Sequence, residues 1–177
     1  GKHCSVCGTV IVAQEIVPKL TTGTTGDCTW TLSGTTLTIS GGTVTVSTGA
    51  ELIVEGNTRL RYDYYSYPKL YNYGVFETTN LTVDAGSYNQ SEAEAKLIIH
   101  GNASFGSTSY SNITGGTVVF DGTEQQTIRE MNAYNVEVLN PAGVKYLSDV
   151  YIYGNYDLHG NPLENSGYQT VFLENGT

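Results

Sequence analysis

Positive charge is scarce in this chain. Lys and Arg together number eight against seventeen Asp and Glu, giving a formal net charge of −9. A nucleic-acid binder neutralises phosphates with a basic stripe, and the densest cationic cluster here is Arg59 with Arg61. Nucleic acid is therefore excluded as a partner, and anionic membranes and acidic polysaccharides are disfavoured. No run approaches the ~18 apolar residues of a membrane-spanning helix, so no membrane insertion is expected of this segment. Charged residues of both signs reach only 14%, where a typical soluble domain carries ~25%. Helical periodicity is missing as well: the best window, residues 92–99, is short and flanked by turn formers.

Catalytic signatures are equally sparse. The six Asp residues (27, 63, 84, 121, 149 and 157) are dispersed. No Gly-x-Ser-x-Gly elbow, phosphate loop or His-Glu-x-x-His pair occurs. His100 and His159 read as surface residues, with Asp157 and His159 alternating onto one strand face. No enzyme activity and no cofactor are expected.

What fills the gap is Gly (21 residues), Tyr (14 residues), Thr, Ser and Asn. Thr, Tyr and Val suit a pleated, half-buried surface, while Gly and Asn suit tight corners. Hydrophobic residues still make up 39%, enough for one packed domain at this length. Short β-runs recur at 36–40, 43–47, 51–54, 80–83, 96–100, 117–120, 135–139, 150–153 and 170–173.

These runs repeat. Residues 52–60, 97–105 and 151–158 each read as a β-run, a Gly-Asn pair (Gly56-Asn57, Gly101-Asn102, Gly154-Asn155) and a second β-run. In a second register, Asn80 precedes Asn102 by 22 residues and Asn135 precedes Asn155 by 20. That interval suits one coil of a solenoid, with Gly-Asn corners formed through left-handed backbone. The expected fold is all-β, a short right-handed parallel β-helix (β-solenoid). A β-sandwich built from Gly-Asn hairpins is the alternative. Residues 1–26, with a Cys-x-x-Cys knuckle and the small-residue stretch 21–26, are expected to be the end of a preceding repeat plus a linker. The solenoid is expected to occupy residues 27–177.

The run Cys28-Thr29-Trp30-Thr31-Leu32-Ser33-Gly34-Thr35-Thr36-Leu37-Thr38-Ile39-Ser40-Gly41 resembles a module opening of repeat-containing, adhesin-like surface proteins of gut Firmicutes. Residues 3–20 resemble the end of the Cys-x-x-Cys-Gly repeats of the same proteins, and residues 135–158 are similar to their β-helix rungs. The resemblance implies a bacterial, secreted fragment of a larger cell-surface protein, attached through regions outside this segment. Its role would be non-catalytic, structural or adhesive, with a glycan or a surface protein of a host or neighbouring cell as partner. A β-helix enzyme acting on glycans is the more distant reading.

Two groups of side chains stand out as candidate sites. Cys4, Cys7 and Cys28 can supply a disulfide, which an extracellular location favours, or part of a zinc site together with His3. The odd count leaves one thiol over. Tyr62, Tyr64, Tyr65, Tyr67, Tyr71 and Tyr73 crowd into twelve residues. Tyrosine offers a flat apolar face and a hydroxyl, which suits a neutral sugar ring, so this segment is the candidate carbohydrate-binding surface. A ladder packed against the solenoid flank is the competing reading.

Overall fold

The computed structural model describes residues 2–3, 10–12, 22–25, 28–62, 67–106 and 111–173, the first three segments as backbone only. It is all-β, with no helix among the described residues, and its parallel strands stack as a β-solenoid of about six turns. The parallel pairing replaces the sandwich alternative, whose sheets would be antiparallel.

Each coil has three sides. On side A the stacked strands are residues 51–54 and 75–78, then Lys96–Ile99, Thr117–Phe120, Asn135–Val138 and Tyr156–Asp157. Side B stacks Thr36–Gly41, residues 57–60 and 80–83, Ala103–Ser104, Gln126–Arg129, Val144–Tyr146 and Leu163–Glu164. Side C is split into two ladders. Thr43–Val46, Lys69–Asn72, Ser87–Gln90 and Asn112–Ile113 form one, and Asn132–Ala133, Val150–Ile152 and Thr170–Phe172 form the other.

Inward residues stack on their equivalents. Leu52, Phe76, Leu97, Val118, Val136 and Tyr156 are successive partners on side A, between 18 and 24 residues apart. Leu81 and Ile128 on side B meet Leu70, Tyr88 and Ile113 on side C in one core. Each fully buried Leu, Ile, Val or Phe contributes roughly 1.5–3 kcal/mol. Strand Lys96–Ile99 shows the cause in miniature: Leu97 and Ile99 are buried while Lys96 and Ile98 face out.

The segment carrying the module-opening resemblance is a hairpin. Cys28–Ser33 pairs antiparallel with Thr36–Gly41 across a turn that holds Gly34 at φ +59°. Thr22–Thr25, within the stretch read as a linker, pairs antiparallel with Cys28–Ser33. Thr36–Gly41 then pairs parallel with residues 57–60, so the hairpin covers one edge of the stack.

Polar side chains also enter the core. Asn72, Gln90, Gln126 and Asn140 are fully or almost fully buried. Asn72 Nδ2 donates to Lys96 O (2.7 Å), and its Oδ1 accepts Gly74 N–H (3.2 Å). Tyr88 Oη–H donates to Gln90 Oε1 (2.8 Å), and Gln90 Nε2 donates to Gly115 O (3.1 Å). Gln126 Nε2 donates to Ile99 O (2.7 Å) and Asn140 Nδ2 to Glu124 O (2.6 Å). A buried amide without partners costs several kcal/mol. These amides are instead spent on backbone groups that the corners leave outside the ladders.

The Gly-Asn pairs act differently from the expectation. Gly56, Gly101 and Gly154 are not among the residues with positive φ, and neither is any described Asn. Glycine is required there because the neighbouring coil is too close. A Cβ on Gly56 would lie 1.8 Å from Thr35 O, and one on Gly101 would lie 2.2 Å from Asn80 Oδ1. The asparagines form ladders along the axis. Asn80 Nδ2 donates to Asn57 Oδ1 (2.5 Å), Asn102 N–H to Asn80 Oδ1 (2.5 Å), and Thr127 N–H to Asn102 Oδ1 (2.7 Å). Asn155 N–H donates to Asn135 Oδ1 (2.9 Å) at a different corner, between sides C and A. The third Gly-Asn phrase is thus the same device placed on another edge, not the equivalent of the first two.

Candidate functional site

The tyrosine segment begins as the connection from side B to side C, residues 61–68, and continues into strand Lys69–Asn72. That strand sits in register with Thr43–Val46 and Ser87–Gln90, so its tyrosine belongs to the repeat and not to an insertion. Alternation does the positioning. Pro68, Leu70 and Asn72 are buried while Tyr67, Lys69, Tyr71 and Tyr73 lie on the outer surface of side C.

The rings pair. Tyr62 and Tyr67 stack with centroids 4.5 Å apart and planes at 28°, and Tyr71 and Tyr73 lie 6.1 Å apart at 25°. Tyr62 is 40% exposed and Tyr67 is 56% exposed. A cleft of about 420 Å³ beside them is lined by Tyr67, Lys69, Gly86 and Ser87. Gly86, at φ +148°, packs so closely on Pro68 that a Cβ would meet it at 2.8 Å. Arg59 pairs with Asp84 at the same edge. Tyr64 and Tyr65 lie outside the described residues. Chemically, the four described tyrosines offer ring faces for stacking on an apolar sugar face and hydroxyls for hydrogen bonds.

Side A carries a second cluster that spacing did not bring together. His100 Nδ1 lies 2.7 Å from Asp121 Oδ1, and its Nε2 lies 2.9 Å from Glu77 Oε1. The three residues come from three successive coils. Partial burial pulls the imidazole pKa down, but the hydrogen bond to Glu77 and the charge and hydrogen bond of Asp121 more than reverse this, so it is raised. Three coils on from His100, His159 Nε2 lies 2.8 Å from Glu137 Oε1 and 3.5 Å from Asp157 Oδ2. Asp157 and His159 thus meet as their alternation suggested, while the Glu partners come from coil stacking. The interval of one coil, applied to every outward residue and not to asparagines alone, is the signal that would have found them.

Cys28 is buried, with Sγ 4.0 Å from Thr29 O. Cys4 and Cys7 lie outside the described residues. Among the described residues, no group of three or more His, Cys, Asp or Glu is placed to hold a metal ion. Among them, too, no helix is long and apolar enough to cross a membrane.

No protein-family model, curated protein or solved structure matches this chain.

Proposed function

We propose that this chain is a non-catalytic extracellular module of a larger cell-surface protein, acting as a stiff spacer that displays adhesive surface. The observation that carries this reading is the use of polar side chains along the axis. Asn57, Asn80 and Asn102 outside, and Asn72, Gln90, Gln126 and Asn140 inside, tie each coil to the next. Such a column resists bending and pulling, which a spacer needs. The low content of Lys and Arg and the abundance of uncharged polar residues fit an exposed, extracellular surface. The partner is a glycan or a surface protein of a host or neighbouring cell.

Force spectroscopy on the module between two handle domains tests the spacer role. Cooperative unfolding at forces well above those of helical handles is expected, and rung-by-rung yielding at low force sinks the idea. Cleavage of a polysaccharide by the purified chain, abolished by Asp157→Asn, would replace this reading with an enzyme.

A second reading is favoured by the cleft at Tyr67, Lys69, Gly86 and Ser87, beside a stacked tyrosine pair. Here the module binds a neutral glycan through Tyr62, Tyr64, Tyr65, Tyr67, Tyr71 and Tyr73. A glycan array comparing the native chain with a Tyr67→Ala/Tyr71→Ala variant tests it. Selective binding lost in the variant is expected. Equal binding by both proteins removes the tyrosines from any recognition role.

A further inference from the structure

Side C changes ladder between Asn112–Ile113 and Asn132–Ala133, which are consecutive rungs without ladder hydrogen bonds between them. At this seam, along the edge between sides B and C, lies a cavity of about 390 Å³. Three successive coils build its wall. Gly106 and Ser111 come from the first, Glu130 and Asn132 from the second, and Ser148, Asp149 and Tyr151 from the third.

The wall is unusual for a surface that only holds a fold together. Glu130 sits at φ +54°, a left-handed backbone that glutamate rarely adopts. Its N–H is held by Ser148 Oγ at 2.6 Å, which fixes the residue in that conformation. Among the described residues, Glu130 Oε2 and Ser111 Oγ are the buried side-chain polar atoms without a hydrogen-bond partner. Both residues line this cavity, and the two atoms themselves are closed off from solvent. Asp149 is oriented by Gln169 N–H, which donates to its Oδ1 at 2.9 Å. Backbone strain and unmet hydrogen-bonding capacity concentrated at one cavity mark it as a candidate ligand site.

We propose that this cavity binds a neutral, hydroxyl-rich ligand, a sugar unit, separately from the tyrosine platform. The chemistry selects the class. Glu130 and Asp149 accept hydrogen bonds, Asn132 both donates and accepts, and Tyr151 adds a ring face and a hydroxyl. Sugar hydroxyls donate and accept at once, so they match this lining. None of the described lining residues is Lys, Arg or His, so uronates and sulfated or phosphorylated sugars meet two carboxylates and no counter-charge. The volume falls in the range of small-molecule sites, about 300–1,000 Å³. It far exceeds the ~30 Å³ share of a single water, so a lone cation would leave it largely empty. The cleft at Tyr67 and Gly86 lies on the same B–C edge two coils earlier, which lets one extended glycan touch both.

The test is NMR titration of the ¹⁵N-labelled full chain with neutral mono- to tetrasaccharides of glucose, galactose, mannose and N-acetylglucosamine. Glucuronate and calcium chloride serve as comparison arms. Saturable shifts centred on Glu130, Asn132, Asp149 and Tyr151 for at least one neutral sugar are expected, with none for glucuronate. Asn132→Ala should weaken binding on the order of tenfold, the equivalent of one good hydrogen bond. Glu130→Gly separates function from folding, because glycine accepts φ +54° without strain. It should lose sugar binding while melting at or above the native temperature. Three results overturn the proposal. They are no saturable neutral-sugar shifts at these residues, shifts with calcium alone, and a Glu130→Gly variant that binds as the native chain does. Shifts confined to Tyr62, Tyr67, Tyr71 and Tyr73 also overturn it while leaving the tyrosine reading intact.

Discussion

Replacing Gly56 by alanine tests whether close approach, and not left-handed backbone, selects glycine at the corners. The added Cβ would lie 1.8 Å from Thr35 O and 2.8 Å from Thr35 C, both backbone atoms of the neighbouring coil. Backbone cannot swing aside, so the two coils must separate. Separation breaks the hydrogen bond from Asn57 N–H to Thr35 O (2.8 Å) and strains that from Thr78 Oγ1 to Gly56 O (2.9 Å). Overpacking costs about 1–3 kcal/mol, and each lost hydrogen bond adds about 1 kcal/mol. Gly56→Ala should therefore destabilise by about 2–5 kcal/mol. Gly160 is the contrast: it sits at φ +78°, and a Cβ there would have nothing within 4 Å. There the loss is left-handed strain alone, about 1–2 kcal/mol. Gly101→Ala should fall between them, since its nearest backbone atom, Thr79 O, is 2.8 Å away and the closer Asn80 Oδ1 at 2.2 Å belongs to a side chain that can turn at the cost of its ladder bond. Urea unfolding followed by far-UV circular dichroism gives all three values. A Gly56→Ala loss smaller than that of Gly160→Ala refutes the close-approach account.

Asn72→Leu removes the partners of Lys96 O and Gly74 N–H, and should cost about 2–4 kcal/mol in the same assay. Phe120→Ala empties a fully buried position on side A and should cost about 3–5 kcal/mol. His100 has a raised pKa in the fold. Its pairing with Glu77 and Asp121 therefore stabilises fully below the usual imidazole value of about 6.5 and is lost as pH rises through the raised value. The native chain should lose more melting temperature between pH of about 5.5 and about 8.5 than His100→Gln does, and equal losses would contradict the pairing. Four Gly-Ser residues inserted between Ala85 and Gly86 should cost about 1 kcal/mol or less. The same insertion between Gly101 and Asn102 breaks the asparagine ladder and should cost several times more.

Much of the architecture is legible in the β-runs. The run at 117–120 coincides with strand Thr117–Phe120, and those at 135–139, 150–153 and 170–173 each overrun their strands by one residue. The asparagine intervals of 20 and 22 residues correspond to direct contacts, Asn155 on Asn135 and Asn102 on Asn80. What stayed hidden is the polar interior. Asn72, Gln90, Gln126 and Asn140 look like turn or surface residues by type, and only the three-dimensional corner shows which carbonyls they satisfy. Short strands such as Gln126–Arg129 were also illegible, because an inward Gln breaks the apolar alternation. The cavity at Glu130 was illegible for a related reason: its lining comes in three separate groups, 106 and 111, 130 and 132, and 148, 149 and 151, and none of them is a recognisable motif.

The three edges of the solenoid are not equivalent, and both proposed binding sites fall on one of them. The A–B edge is clamped outside by Asn57, Asn80 and Asn102 and inside by Gln126 and Asn140. Strands Glu51–Leu60 and Val75–Val83 run straight across it. The C–A edge is clamped by Asn72 and Gln90 reaching Lys96 O and Gly115 O. At the B–C edge no comparable amide clamp appears among the described residues. Its connections range from residues 61–68 in one coil to residues 130–131 in another. An edge without clamps can change length from coil to coil at little cost, since loop-closure entropy grows only slowly with length. Coils of unequal connection leave gaps between them, and both the tyrosine cleft and the Glu130 cavity lie there. On the proposed reading, binding surface belongs to the edge that lacks the Asn and Gln columns, where the axial bonds are instead those of Ser148 and Asp149, and stiffness belongs to the two edges that carry the columns.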